Sequence, residues 1–152
     1  MLDDLTRTVL QQTARRLSRS FLQYIDDAVP WTTDDKESSV ELIHKIATEE
    51  RDGIARLLTF LQRHHARPGY LGSFPASFTS ANFVTLDYLR PLLAKNAQAE
   101  VEQLEKALSQ VNDPEVRQLL KDLLALKSRH AKELNELTST TQAHAPAIAT
   151  AH

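Results

Sequence analysis

Four polar side chains interrupt the apolar faces of predicted helices, where they could do chemistry away from water. Glu50 interrupts the second predicted helix, and Asn96 interrupts the third. Lys127 and His130 both interrupt the fourth. A carboxylate and an imidazole can bind a metal ion, whereas a carboxylate and an ammonium form an ion pair. Because an unpaired buried charge costs several kcal/mol, these residue types favour a metal site or a buried pair.

The four side chains are predicted to lie at a similar depth, near the middle of the helices. Glu50 is about 18 residues from the turn before its helix, which is roughly 27 Å along the axis. Asn96 is about 16 residues from the turn after its helix, roughly 24 Å. Reflection through that turn places Asn96 opposite the chain between Lys127 and His130. The alternative is that some of these residues lie at the edge of the apolar face and extend their polar ends to water.

The apolar periodicity predicts an all-α protein. Apolar residues recur at steps of three and four residues, which is the helical period, and alternating β-branched runs are absent. Pro30 ends the first helix, and Pro91 either kinks the third helix or marks its true start. Asp113 is the predicted N-cap of the fourth helix, with proline at the first helical position. The predicted helices run from about Asp3 to Ala28, from about Asp34 to His65, from about Leu86 to Val111, and from Pro114 to about Thr138.

A long connector, residues 66–84, separates the second and third predicted helices. It carries Pro68, Gly69, Gly72 and Pro75 together with several Ser and Thr, so it is not helical throughout. A stretch of about 15 extended residues reaches roughly 50 Å, enough to follow a helix of about 30 residues. We therefore predict a crossover packed along a four-helix bundle of two antiparallel hairpins. Its large apolar side chains, which a solvated linker would not need, are Tyr70, Leu71, Phe74, Phe78 and Phe83.

Length and composition indicate one domain and exclude several functions. The chain has 152 residues and a net charge of -2, with 18 basic and 20 acidic residues spread along it. The sequence has no basic stripe of the kind that would indicate nucleic-acid binding, and it has no apolar run that approaches the length of a membrane span. The absence of cysteine excludes disulfides, thiolate catalysis and Cys-ligated zinc. We expect a soluble, cytoplasmic protein, with the bundle over residues 1–138 and a loose tail over residues 139–152.

The predicted connections and two short stretches resemble the ferritin-like superfamily, which includes rubrerythrins and related carboxylate-bridged di-iron proteins. The stretches are residues 46–52, Ile-Ala-Thr-Glu-Glu-Arg-Asp, and residues 126–131, Leu-Lys-Ser-Arg-His-Ala. Members of that superfamily carry Glu-x-x-His in helices 2 and 4 and a single Glu in helices 1 and 3. A spacing of three places both ligands on one helical face. The resemblance implies a ferritin-like four-helix bundle over the whole chain apart from the tail.

This sequence departs from the ligand pattern of that superfamily in every helix. Glu50 matches the Glu of helix 2, but Gly53 stands where the His is expected. His130 matches the His of helix 4, but Lys127 stands where the Glu is expected. In helix 3 the expected Glu is Asn96. The resemblance therefore implies a degenerate di-iron site with two of its six ligands left, and no bound metal is predicted.

Helix 1 supplies no replacement ligand. Reflection of Glu50 through the first turn places Thr13 or Ala14 opposite it, and no carboxylate lies between Asp4 and Asp26.

Three further histidine arrangements are open. Glu41 and His44 are spaced as Glu-x-x-His, but the apolar face of helix 2 turns them outward as a surface pair. Glu133 could share a metal with His130 in the fourth helix. The neighbouring residues 64 and 65, both His, suit the C-terminal end of the second helix, where the helix dipole favours them.

Two classes of function follow from these residues. The first is a ferritin-like bundle that has lost its di-metal site and acts without catalysis, by binding or by self-assembly. The alternative is a metal-binding ferritin-like oxidoreductase or iron-handling protein that uses iron or manganese. We favour the first, assign no catalytic residue and no cofactor, and leave any small-molecule ligand unidentified.

In the favoured case, the ammonium of Lys127 takes the place of a metal and pairs with Glu50. His130 and Asn96 then supply neutral hydrogen bonds, and Gly53 leaves room beside the pair.

Extra apolar residues beside the helical stripes predict a homodimer. A single bundle face does not use all of them, and two-fold dimers are the commonest oligomers. The predicted interface lies on the first two helices and contains Val9, Leu22, Ile25, Leu42, Ile46, Leu58 and Phe60.

Overall fold

A computed structural model of the chain describes residues 2–28, 37–83 and 86–149, and these are mostly helical. No β-strand occurs in these ranges, so the predicted all-α class is confirmed. The 3-10 helix Ala76–Phe83 lies in the connector. The α-helices are α1 (Asp4–Ser18), α2 (Phe21–Ala28), α3 (Glu37–Arg63), α4 (Leu86–Ser109) and α5 (Pro114–Ala149).

The first predicted helix is broken in two, which the apolar periodicity did not predict. The break lies at Arg19 and Ser20, between α1 and α2. The Ser20 hydroxyl accepts a hydrogen bond from the backbone N–H of Gln23 at 3.2 Å, so Ser20 caps the N-terminus of α2. A serine side chain that bonds the backbone competes with the continuous helical ladder. The expectation of one helix from Asp3 to Ala28 was therefore wrong.

The termini of α1 and α5 are fixed by aspartate caps. Asp3 accepts from the backbone N–H of Thr6 at 2.7 Å, and this bond lowers the pKa of Asp3 below its usual value. Asp113 accepts from the backbone N–H of Val116 at 3.0 Å, which confirms the predicted cap before Pro114.

The connector runs beside α1 from the end of α3 toward the start of α4. Gln11 donates to the carbonyl of Ala66 at 3.0 Å, and Arg19 donates to the carbonyl of Gly72 at 2.5 Å. Residue numbers thus rise together along α1 and along the connector, so both segments run in the same direction. The rings of Phe74 and Phe78 then pack on α2. Tyr70 is 80% exposed and does not pack, and the side chain of Phe83 lies outside the described residues.

The helix directions follow from contacts between side chains. Ser20 contacts Glu50 while Gln23 contacts Ala47, so α2 and α3 are antiparallel. The side chain of Arg90 donates to the hydroxyl of Ser39 at 2.6 Å, so α4 starts beside the start of α3 and runs parallel to it. The short turn after Ser109 makes α5 antiparallel to α4.

Two apolar clusters form the core, one in each half of the molecule. The upper cluster joins α2 to the early parts of α3 and α4 and to the late part of α5, with Ile25, Ile43 and Leu89 at its centre. The lower cluster joins α1 to the late parts of α3 and α4 and the early part of α5, around Leu10 and Leu57. A layer of buried polar side chains lies between the two clusters and is called the polar layer below: Ser20, Gln23, Glu50, Glu100, Lys127 and His130.

Most of the apolar residues that were expected to form a dimer interface on the first two helices are buried in this core. Val9, Leu22, Ile25, Ile46 and Phe60 are buried within the single chain. The two remaining residues of the predicted interface are partly buried and pack against the clusters. These apolar residues therefore give no reason to expect a dimer through this face.

Other helix boundaries also differ from expectation. Helix α5 continues to Ala149, past the predicted end at Thr138. Pro91 is exposed and lies within a continuous α4, so it does not mark the start of the helix. The predicted turn at residues 30–33 and the predicted start at residue 34 lie outside the described residues. No described helix is both long enough and apolar enough to cross a membrane.

A buried polar layer as the candidate functional site

Glu50 and Lys127 form a buried ion pair between the two apolar clusters. The ammonium of Lys127 donates to Oε2 of Glu50, and each side chain is 1% exposed. The alternative in which Lys127 extends to water is therefore wrong. The predicted pairing is present, and it joins α3 to α5 at the middle of the molecule.

The second oxygen of Glu50 is held by α2. The Ser20 hydroxyl donates to Oε1 of Glu50 at 2.6 Å, and the Gln23 amide donates to the same oxygen at 3.0 Å. With Lys127, the carboxylate accepts three hydrogen bonds, all from buried side chains. This arrangement stabilises the ionised form of a carboxylate that has no access to water.

Sequence reasoning placed the wrong residues of the first helix opposite Glu50. Thr13 is buried, but its hydroxyl donates to the carbonyl of Val9 within α1 at 2.8 Å. The reflection failed because it assumed a continuous helix through Ser20. A signal was present, because Ser20 and Gln23 have the Ser-x-x-Gln spacing of a capping box, which marks a helix start.

The polar contacts of Gln23 continue to the surface. Arg51 donates to the amide oxygen of Gln23 at 2.9 Å and to Asp26 at 3.1 Å. Nδ1 of His44 lies 3.1 Å from Asp26. His44 is exposed, as predicted, but its partner is Asp26 and not Glu41. These contacts orient Gln23 so that its NH2 group faces Glu50.

Glu100 is a second buried carboxylate that the sequence analysis missed. Nε of Arg16 donates a hydrogen bond to Oε2 of Glu100 at 2.9 Å. Burial raises the pKa of Glu100 above its usual value, and the charges of Arg16 and Lys127 oppose that shift. Glu100 follows Asn96 by four residues, so both lie on one face of α4. That spacing is the signal that could have found it.

Asn96 does not join the ion pair. Its side chain is half-buried, and it makes no hydrogen bond to any described residue. It lies instead in a surface groove with Ser20 and Glu100. The expectation that Asn96 bridges Glu50 and Lys127 was wrong, because the face of α4 that meets the layer presents Glu100 one turn later.

His130 is fully buried beside the layer as a neutral imidazole. Burial lowers its pKa to about 3, and the ammonium of Lys127 adds to the shift. Nε2 of His130 lies 3.4 Å from Oε1 of Glu49, and neither ring nitrogen has a hydrogen-bond partner among the described residues. The hydrogen bond expected from His130 to the pair is therefore not present. Glu49 is itself paired with Arg129.

Two leucine side chains of α5 pack directly against Gly53, so the glycine leaves no empty space beside the ion pair. A Cβ atom at this position would lie 2.9 Å from Cδ2 of Leu123 and 3.2 Å from Cδ2 of Leu126. The glycine therefore permits close packing of α3 on α5. The predicted role of Gly53, to leave room next to Glu50, was wrong.

The residues of the layer do not fit a di-metal centre. The ammonium of Lys127 is bonded to the carboxylate that would be a ligand, and the position of Gly53 faces leucines. Within the described ranges, no group of three or more His, Asp or Glu is placed to hold a metal ion. The layer can stabilise charge in the interior, and both oxygens of Glu50 already accept hydrogen bonds from buried side chains.

Comparison with known proteins gives no relative. No family model matches the chain, and neither the curated proteins nor the solved structures contain a match.

Proposed function

We propose that this chain is a ferritin-like bundle in which an ion pair has replaced the di-metal centre, and that it acts by binding without catalysis. The observation that carries the proposal is the buried bond from the ammonium of Lys127 to Glu50. It lies where α3 and α5 meet, on the two residues that the resemblance matches to ligand positions.

Charge balance explains why Lys127 accompanies Glu50 once no metal ion is present. A carboxylate left in the interior without a cation costs several kcal/mol. Lysine supplies one positive charge on a flexible stem, and Ser20 and Gln23 supply neutral donors to the other oxygen of Glu50. The parallel course of α3 and α4, with the connector beside α1, supports the ferritin-like arrangement.

The chemistry of the layer favours binding over catalysis. Glu50 already accepts three hydrogen bonds, so it is a poor general base. His130 is buried and stays neutral, and its imidazole has no bonded partner in the described part of the chain that would orient it for proton transfer.

Metal analysis tests the replacement. The full chain is expressed with added iron and manganese, purified, and analysed for metal content together with Glu50→Gln and His130→Leu variants. We expect no stoichiometric metal in any of the three proteins. Two metal ions per chain that are lost in Glu50→Gln would overturn the proposal. Metal that survives in Glu50→Gln but is lost in His130→Leu would instead favour the metal-binding alternative through His130 and Glu49, which lie 3.4 Å apart.

A further inference from the structure

A groove of about 470 Å³ opens beside Glu100, between α1, α4 and the connector. Its size lies in the range of small-molecule sites. One side is lined by Arg15 and Arg16 of α1, together with Gln12, and by Arg19 at the break after α1, and Asn96 and Glu100 of α4 also line the groove. The groove thus touches the buried polar layer from outside, through Glu100.

The groove carries an excess of positive charge. Three guanidinium groups line it, and Glu100 is its one carboxylate. Arg15 donates to the carbonyl of Pro68 at 2.6 Å, and Arg19 donates to the carbonyl of Gly72 at 2.5 Å. These acceptors are neutral, so they hold the two guanidinium groups without cancelling their charge. An anionic ligand is favoured by such a field.

Two hydrogen-bond donors in the groove have no acceptor. Nη2 of Arg16 is buried without a partner among the described residues, although Nε of the same group bonds Glu100. The amide of Asn96, one turn before Glu100 on α4, is also unbonded in the described structure. A buried donor without an acceptor is unfavourable, so an acceptor on a ligand would stabilise Nη2 of Arg16, whereas the amide of Asn96 is only half-buried. A carboxylate has the charge and the oxygen atoms for both donors.

The rest of the groove is apolar. Phe21 and Phe78 line it with their rings in an edge-to-face pair, 5.0 Å between centroids, and Leu71 of the connector lies on the same wall. A bare inorganic anion would leave this surface unused. A ligand that carries a short apolar body beside its carboxylate covers it.

We propose that this groove binds a small monocarboxylate with a short apolar body. The carboxylate accepts from Nη2 of Arg16 and from the amide of Asn96, and the apolar body lies on Phe21, Leu71 and Phe78. This ligand class deepens the proposed function, and it rests on the proposal that the chain acts by binding.

Calorimetric titration of the full chain with hexanoate tests the site, with hexanol and inorganic phosphate as matched probes. Hexanol keeps the apolar body without the charge, and phosphate keeps the charge without the body. We expect hexanoate to saturate one site per chain, and each of the other probes to bind at least about tenfold more weakly, which corresponds to 1.4 kcal/mol.

Two substitutions on α4 separate this groove from the rest of the surface. Asn96→Leu removes the free amide and fills the groove while the bond between Arg16 and Glu100 stays intact. Gln98→Leu makes the same kind of change at an exposed residue that lines a different groove, with Val101 and Ser128. We expect hexanoate affinity to fall at least about tenfold in the first variant and to be unchanged in the second. Circular dichroism checks that both variants fold.

Several results would overturn the inference: no saturable hexanoate binding, equal affinity for hexanoate and phosphate, equal affinity for hexanoate and hexanol, or unchanged binding in Asn96→Leu. Failure here is distinct from failure of the proposed function. A metal-free chain that ignores hexanoate contradicts only the groove. A chain that holds two metal ions and binds hexanoate contradicts only the replacement of the metal centre.

Discussion

At the scale of single residues, the central feature is a lysine and a glutamate that are both buried. Each charge loses its hydration, and their mutual attraction repays that cost only when the remaining polar atoms are also bonded. Ser20 and Gln23 meet this condition at Glu50, because they donate to the oxygen that Lys127 does not use. The pair is therefore part of a satisfied network and not an isolated contact.

Removing one partner of the pair should be far more harmful than removing both charges. We expect Lys127→Ala to lower the free energy of unfolding by about 3–5 kcal/mol, because it leaves the Glu50 carboxylate buried without a cation. Lys127→Met combined with Glu50→Gln should recover most of that loss, since the amide oxygen can still accept from Ser20. Urea unfolding of Lys127→Met, of Glu50→Gln and of the double variant measures the coupling. A coupling energy below about 0.5 kcal/mol would contradict a buried pair.

The sequence predicted this pair but not its surroundings. Glu50 and Lys127 were found because a charge on an apolar helical face is conspicuous in the sequence. Ser20 was missed because the apolar period continues through it, and the Ser-x-x-Gln spacing that marks a helix start was not used. Glu100 was missed because the superfamily pattern directed attention to Asn96, one turn earlier. Which of two side chains on the same helical face enters the core depends on packing, which periodicity does not contain.

At the scale of the elements, the break between α1 and α2 places donors at the layer. Ser20 both caps α2 and donates to Glu50, so one hydroxyl links a helix start to the ion pair. In a continuous helix, the backbone N–H of Gln23 would bond to the carbonyl of residue 19 and Ser20 would have no capping role. The break is therefore a feature that serves the buried network.

Substitution of Ser20 tests this double role. We expect Ser20→Ala to lower the free energy of unfolding by about 2–4 kcal/mol, because it removes a helix cap and leaves a carboxylate oxygen of Glu50 with one donor fewer. Ser18→Ala is the matched control, because the Ser18 hydroxyl at the end of α1 has no hydrogen-bond partner in the described structure. The control should change stability by no more than about 0.5 kcal/mol. Equal effects of the two substitutions in thermal unfolding would argue against a structural role of the break.

At the scale of the whole molecule, the polar layer divides the core into an upper and a lower cluster. The helical period and the apolar connector sufficed to predict the long helices and the packed crossover, because these patterns extend over tens of residues. The burial of the apolar residues assigned to a dimer was not predictable, because it depends on how the helices pack around one another in three dimensions. The break at Ser20 left only the short Ser-x-x-Gln spacing in the sequence, against an apolar period that continues through it. The homodimer stays a prediction without an assigned face, which light scattering can test.

The stability of the whole molecule should depend on pH through His130. Its pKa is lowered to about 3 in the folded protein, first by burial and then by the charges of Lys127, Arg129 and Lys45, while Glu49 lies 3.4 Å away. The unfolded chain has the usual histidine pKa of about 6.5. Between these values the unfolded state binds a proton that the folded state does not. Stability therefore falls as pH is lowered from about 6.5 toward 3, by up to about 1.4 kcal/mol per pH unit for this one group.

Glu100 acts with the opposite sign. Its pKa is raised by burial above the usual value of 4.5, so the folded state binds more protons than the unfolded state, and the stability that Glu100 contributes is lost as pH rises. A His130→Leu variant separates the two, since Glu100 and all surface groups are common to both proteins. Between pH 6.5 and pH 5 the unmodified chain should lose about 1.6 kcal/mol more stability than the variant. Urea unfolding at half-unit steps of pH measures the difference. Parallel curves for the two proteins would show that His130 is not held neutral by the fold, and would contradict its burial against the cations of the layer.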